Sequence, residues 1–262
     1  MSLTAKFNTK LMRTLTLYSL TRELALKIIR NKKAIELKSV VNNDISYSPK
    51  KVLKEIKTNG FSGIVTIGEP RLKKIIEYAN SINFFSIDGQ ESFKIDYETP
   101  IKPSKSLWYW NEDIMNCKEV NELVYDKINL EIASNYLGKT PTIKDVRIWW
   151  SFPQEKKEYN HLYGFHYDID SYKFLKQFIY LTDVDEKSGP HVIISNTHKE
   201  KNFFEKFNRR LTDEQVEERY EKNKINVMTG KAGSGFFEDT FAYHKGTLPE
   251  KPRLILQIEY SI

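Results

Sequence analysis

Gly235-Phe236-Phe237-Glu238-Asp239-Thr240, followed by Ala242-Tyr243-His244-Lys245-Gly246 and then Pro252-Arg253-Leu254-Ile255-Leu256-Gln257, is the stretch that decides the fold. Short apolar segments bounded by Gly, Pro and Asp are the pattern of strands joined by turns. Working outward, the same pattern begins beyond Pro141, with Asp145 to Ser151, Phe165 to Asp168, Lys176 to Thr182, His191 to Ile194 and Asn226 to Met228. Gly235 to Glu238 and Arg253 to Tyr260 close the series. Many short strands between turns predict a sandwich or jelly roll. One charged, helix-patterned insertion, Lys199 to Lys224, interrupts them.

The first half reads differently. From Leu11 to Leu37 apolar residues recur at helical intervals, with Leu17, Leu20, Leu24 and Ile28 on one side and Arg and Lys elsewhere, which predicts an amphipathic helical region. Ser48-Pro49 opens a second helix that Asn59-Gly60 stops, and Glu69-Pro70 opens a third. Phe61 to Ile67 reads as a strand between them. Ser81 to Ser106 is poorly patterned, with turn signals at Asp88-Gly89 and from Pro100 to Pro103, and predicts irregular structure with a short hairpin. Glu112 to Leu137 reads as one helix capped by Gly138.

At 262 residues with 40% apolar content, the chain can bury a sizeable core, and one catalytic domain is the expectation. The single cysteine, Cys117, excludes an internal disulfide or a cysteine-based cluster and reads as a packed thiol in a reducing compartment. No apolar run is long enough to span a bilayer. Arg22, Glu23, Lys27 and Arg30 interrupt the stretch that a secretory signal would need, so a cytoplasmic location is expected.

The charge is uneven. Residues 1–60 carry 13 Lys/Arg and 4 Asp/Glu, net 13 − 4 = +9, which leaves 6 − 9 = −3 for the remainder. The basic segment reads either as a solvated helical face or as peripheral contact with an anionic surface. No nucleic-acid module accompanies it, so nucleic acid is not an expected partner.

His166-x-Asp168 places two side chains on one face of a strand, because strand side chains alternate with period two. Both can reach one ion, and a jelly roll can bring the strand of His244 alongside. Alone, such a pair is weak evidence; the surrounding residues give it specificity.

Three blocks supply that context: the Gly235 to Gly246 run, Pro252 to Gln257, and Tyr180-Leu181-Thr182-Asp183-Val184 with Ser188-Gly189-Pro190-His191 and Ser195-Asn196-Thr197-His198-Lys199. Together they resemble the phytanoyl-CoA dioxygenase-like branch of the iron(II)- and 2-oxoglutarate-dependent oxygenases. In that family a glycine-led strand ends in an acidic residue, then come the distal histidine with a basic residue and glycine, and then the arginine that grips 2-oxoglutarate. Ser195-Asn196-Thr197 stands where Pro-Gly-Ser is usual. The resemblance covers about Arg147 to Tyr260, with a weaker likeness at Asn59-Gly60-Phe61.

The resemblance implies an α+β fold with a double-stranded β-helix core, jelly-roll and cupin-like, and N-terminal helices packed around it. The expected organisation is an oxygenase domain over 59–262, with the core at about 141–262 and the insertion at about 199–224, preceded by a basic helical extension over 1–58 that the resemblance leaves unassigned. His166, Asp168 and His244 are implied as iron(II) ligands, a set that leaves adjacent coordination sites open for cosubstrate and O2. Arg253 is implied to pair with the distal carboxylate of 2-oxoglutarate, where a guanidinium offers two parallel charge-assisted hydrogen bonds. Retention of Asp168 implies hydroxylation rather than halogenation. Of Lys176 and Gln177, whichever points inward is a candidate 2-oxoglutarate contact.

His191 and His198 read as residues that hold turns by hydrogen bonds, and His161 as part of the loop before the triad. Trp149, Trp150 and Tyr163, with Trp108, Tyr109 and Trp110, concentrate aromatics near the expected pocket, and the insertion reads as a lid over it. The implied activity is hydroxylation of a small molecule, carbohydrate- or lipid-linked in range, with release of succinate and CO2. Two other readings compete: a cupin-like metal-dependent isomerase, which has no use for Arg253, and a non-catalytic adaptor binding acidic surfaces through its basic helices.

Overall fold

The computed structural model describes residues 3–30, 38–42, 44–45, 47–104, 108–153, 164–199 and 201–262. Eight α-helices occur among them: α1 (Leu3–Thr16), α2 (Ser19–Arg30), α3 (Pro49–Asn59), α4 (Glu69–Ser81), α5 (Lys118–Val124), α6 (Lys127–Leu137), α7 (Phe203–Phe207) and α8 (Asp213–Arg219). The strands are β1 (Val65–Thr66), β2 (Phe84–Ser86), β3 (Ser92–Phe93), β4 (Trp108–Asn111), β5 (Thr142–Ser151), β6 (Phe165–His166), β7 (Phe174–Tyr180), β8 (His191–Ile194), β9 (Arg210–Leu211), β10 (Ile225–Met228), β11 (Ser234–Glu238), β12 (His244–Gly246) and β13 (Arg253–Ser261).

Among the described residues the strands form two antiparallel sheets, an eight-stranded one ordered β1-β11-β7-β13-β5-β4-β2-β3 and a five-stranded one ordered β10-β8-β12-β6-β9. Period-two alternation assigns the faces of the large sheet. Leu254, Leu256, Ile258 and Tyr260 of β13 join Val146, Ile148 and Trp150 of β5 in a core shared with α3 to α6, whereas Arg253, Ile255 and Gln257 face a cavity together with Arg147 and Trp149. Burying an aliphatic side chain of this size contributes about 1.5–3 kcal/mol, so the helix-facing rows fix the register of the cavity-facing ones. On the small sheet, Val192, Ile194, Tyr243 and Phe165 pack on the outer side with Val216 and, partly buried, Met12, Leu17 and Phe204. The N-terminal helices and the insertion therefore cover that sheet from outside.

Helix ends follow the sequence signals. Ser48 Oγ accepts from Lys51 N at 3.4 Å to open α3. Gly60 closes it at φ 97°, and a Cβ there would meet the His198 side chain at 2.8–3.2 Å. Gly235 is needed for a different reason, because a Cβ on it would sit 2.0 Å from Phe178 O on β7.

Several sequence expectations change. The helix expected from Glu112 to Leu137 divides at Asp126, whose carboxylate accepts from Ile128 N at 2.7 Å and Asn129 N at 3.2 Å and so starts α6 afresh. The expected strand Phe61 to Ile67 shortens to β1, with isolated bridges at Phe61 and Ile67. The region from Leu11 divides at Leu17-Tyr18, and its part beyond Arg30 lies outside the described residues, as do His161 and Tyr163. The helix expected across Lys199 to Lys224 contains β9, which extends the small sheet beside β6. α7 and α8 pack on the outer side of that sheet through Phe204 and Val216, so they do not form the expected lid; among the described residues of the insertion, Arg210 is the one that lines the cavity.

Candidate metal centre

A cavity of about 340 Å³ lies between the sheets. His166 and His244 enter it from directly opposed positions on β6 and β12, with ring centroids 4.5 Å apart. Asp168 follows β6 by two residues and shares its face. Its backbone N donates to Thr240 O at 2.7 Å, in the turn that leads into β12. That turn is itself anchored: Asp239 accepts from Phe241 N at 3.0 Å and from the Tyr136 hydroxyl on α6, and its N donates to Gly60 O at 2.8 Å. One turn thus sets the spacing of two candidate ligands.

Ligand atoms of His166, Asp168 and His244 all lie within 4.8 Å of one another. Asp168 Oδ1 is 3.8 Å from His166 Nε2, and Oδ2 is 3.6 Å from His244 Nε2. His166 Nδ1 lies 3.1 Å from Gly164 O and His244 Nδ1 lies 3.0 Å from Ala242 O. A carbonyl only accepts, so each Nδ1 carries the hydrogen and each Nε2 presents its lone pair inward. Burial, together with the neighbouring His166, pushes His244 down to about 3, so it is a neutral donor at pH 7. Asp168 is held ionised, well below its ordinary value: burial opposes this, but Lys176, His244 and His166 outweigh it. Two imidazoles and one carboxylate with converging lone pairs suit a divalent ion and leave half of an octahedral sphere uncommitted.

Lys176 points into this cluster. Its Nζ donates to Asp168 Oδ2 at 2.8 Å and Asp170 Oδ2 at 2.9 Å, and Glu259 Oε2 is 3.7 Å away. Burial lowers its pKa, but these carboxylates raise it further, so it stays charged. Gln177 is corrected as a cavity residue: the alternation that sends Lys176 inward sends Gln177 to the helix side, where its amide donates to Tyr47 Oη at 3.2 Å.

Arg253 enters from β13 and is 4% exposed. Its Nη1 donates to Gly189 O and its Nη2, at 3.3 Å, to Ser151 Oγ, and the side chain lines the cavity. Arg147 also lines the cavity, over the Trp110 ring at 5.3 Å and held by Asp145 Oδ2 at 2.6 Å. Trp149 lines the cavity as well, whereas Trp150 and Tyr109 turn to the helix-side core.

His191 opens the strand expected from His191 to Ile194, β8, but rather than holding a turn its side chain faces the cavity, stacked on His244 at 5.2 Å. His191 Nε2 lies 2.8 Å from Glu238 Oε2, out of hydrogen-bond alignment. Burial, then Arg253, lowers His191 to about 3, and burial raises the fully enclosed Glu238 to about 8, so both are neutral at pH 7. The signal was available: His191 and Glu238 both occupy inward positions of strands read correctly from sequence. His198 Nδ1 has no hydrogen-bond partner among the described residues, but the side chain is hydrogen-bonded to the backbone of Lys57 near the end of α3, and the ring packs on Gly60.

No protein-family model matches the chain, and no curated protein matches it by sequence. Solved structures do match. One is SnoN, the non-heme alpha ketoglutarate dependent epimerase from nogalamycin biosynthesis, at 11% identity over 81% of this chain and 82% of that one, TM-score 0.57. HygX from Streptomyces hygroscopicus, with nickel and 2-oxoglutarate bound, is similar at 12% identity over 82% and 87%, TM-score 0.56. EctD from S. alaskensis with bound Fe is similar at 15% identity over 87% and 82%, TM-score 0.57. At these identities the likeness establishes a shared fold of helices and antiparallel sheets.

Proposed function

We propose that the chain is an iron(II)- and 2-oxoglutarate-dependent oxygenase of the phytanoyl-CoA dioxygenase-like branch, built on a double-stranded β-helix, that hydroxylates a small molecule. The observation that carries this reading is the convergence of His166 Nε2, His244 Nε2 and the Asp168 carboxylate in a cavity that also contains Arg253. Iron(II) fits the donor set, and the fold is shared with proteins crystallised with Fe, or with nickel and 2-oxoglutarate.

In the balanced reaction, substrate C–H, 2-oxoglutarate and O2 give substrate C–OH, succinate and CO2, and the bound iron(II) supplies the O2 chemistry. The chain's own residues position and shield. The Gly164 and Ala242 carbonyls fix both imidazole tautomers. Lys176 keeps Asp168 ionised and donates to Oδ2, the oxygen beside His244, while Oδ1 faces His166. Arg253 binds the distal carboxylate of 2-oxoglutarate through paired charge-assisted hydrogen bonds. Trp110, Trp149 and Ile255 line the rest of the cavity and exclude water from the reacting carbon.

An isomerase that does not use 2-oxoglutarate would have no role for a buried guanidinium at this place. The test is succinate formation coupled to O2 consumption by the iron-loaded protein. Succinate from 2-oxoglutarate, dependent on iron and lost in Arg253→Ala, is the expected result. Metal binding with no 2-oxoglutarate turnover under any substrate would favour the isomerase.

A further inference from the structure

α2 is turned the opposite way from a helix that simply covers a core. Its inward face carries Leu26, 1% exposed, and Arg22, whose guanidinium lies over the Phe241 ring at 5.1 Å. Its outward face carries Leu20, Leu24 and Ile28, spaced by four, at 82%, 60% and 58% exposure. A second exposed apolar pair, Phe203 at 79% and Phe207 at 70%, projects from α7, with rings 4.9 Å apart. The two groups belong to neighbouring elements: Lys206 of α7 places Nζ over the Tyr18 ring at 4.8 Å, and Arg22 Nη2 donates to Lys199 O at 3.2 Å.

Five large apolar side chains left in water on adjoining helices mark a surface that is covered in use. The charge around them limits what covers it. Lys10, Arg13 and Lys27 are exposed on α1 and α2, and Glu23 is the one acidic residue before Asp44 other than Glu36. Residues 3–30, which hold α1 and α2, carry 6 Lys/Arg and 1 Asp/Glu, net 6 − 1 = +5. A second copy docked face to face would set this charge against itself. An anionic bilayer offers both complements, headgroup charge for the lysines and arginines and acyl carbon for the leucines and phenylalanines, and its fluidity fits side chains that protrude from a helix.

We propose that α2 and α7 form a peripheral docking face for an anionic lipid bilayer, with Leu20, Leu24, Ile28, Phe203 and Phe207 entering the interface. The contact is superficial, because no described helix is long and apolar enough to cross a membrane. The chemistry of the cavity is independent of it.

Flotation of the full chain with vesicles tests this. One set is pure phosphatidylcholine; the other contains phosphatidylglycerol. The wild type floats with the anionic set, and its affinity falls by at least about tenfold on neutral vesicles or in about 1 M salt, where the Debye length is about 3 Å. The triple variant Leu20→Ser/Leu24→Ser/Ile28→Ser and the double variant Phe203→Ser/Phe207→Ser each lose about tenfold or more, with an unchanged melting temperature because the side chains are exposed. The proposal is overturned if the wild type stays unbound, if neutral vesicles bind it equally, or if both serine variants float undiminished. Self-association of the wild type that these substitutions abolish, without vesicle binding, would assign the face to a second copy instead.

Discussion

Inside the two sheets, Asp168, Lys176, Glu238, Glu259 and Arg253 are withdrawn from water among Phe178, Ile255 and Trp149; on the outer side of α2, Leu20, Leu24 and Ile28 stand in water among lysines and arginines. Both regions depart from the ordinary partition of polar and apolar groups, in opposite directions. The interior departure is tightly compensated. Each buried charge has an opposite charge or hydrogen-bond partner, except for Glu238 and His191, which burial renders neutral. The exterior departure has no compensation among the described residues. Buried polar groups with converging lone pairs mark where a small charged ligand goes, whereas exposed apolar groups in a charged setting mark where a large surface goes.

The comparison can be broken or sharpened at graded cost. Replacing a triad member should have the largest effect. His166→Ala or Asp168→Ala should lower iron(II) affinity by more than the roughly 10–100-fold that outer-shell partners command, read by anaerobic titration calorimetry; unchanged affinity in both would show that the interior cluster is not a metal site.

Arg253→Ala comes next. It should raise the KM for 2-oxoglutarate by a factor equivalent to about 2–5 kcal/mol, the usual cost of truncating one partner of a buried charge pair. Arg253→Lys should recover only part, since a point charge cannot reproduce the fork. A KM indifferent to both would remove this residue from the cosubstrate site.

Lys176→Met sharpens the statement that interior charges are compensated. It leaves the Asp168, Asp170 and Glu259 carboxylates facing one another, and should cost about 3–5 kcal/mol of stability in the metal-free protein. In the wild type, Asp168 titrates lower folded than unfolded, so its contribution is complete above about pH 4 and is lost as the pH falls further. The variant should therefore show a shallower acid limb in urea melts below about pH 4; an identical limb would mean the ion pair is not formed.

The smallest effect belongs to Gln177→Ala. Because the side chain lies on the helix side, 2-oxoglutarate kinetics should be unaltered, with about 1 kcal/mol lost from its hydrogen bond to Tyr47. A raised KM would place the amide in the cavity after all.

The two regions also differ in how much the sequence reveals. The β segments from Asp145 to Tyr260 could be read because alternation, turn residues and two-sided burial all leave local marks, and the His-x-Asp pair follows from period two alone. Local pattern does not say which parity faces inward. On the large sheet that depends on packing against α3 to α6, which is why Lys176 and Gln177 stayed paired alternatives. β12 was missed because three residues around His244 are too short to show a period. The break before α6 was written in Asp126, a capping residue inside an otherwise continuous apolar pattern. On α2 the sequence showed the stripe but not its direction. A stripe of leucines reads as a buried face by default, and the contact of Arg22 with Phe241 that turns it outward joins residues more than two hundred positions apart.

The interior account meets its most direct test in a crystal grown anaerobically with iron(II) and 2-oxoglutarate. The predicted result is one metal ion bound by His166 Nε2, His244 Nε2 and an Asp168 oxygen, with the distal carboxylate of 2-oxoglutarate on the Arg253 guanidinium. An ion bound elsewhere, or a cosubstrate whose carboxylate avoids Arg253, would contradict it.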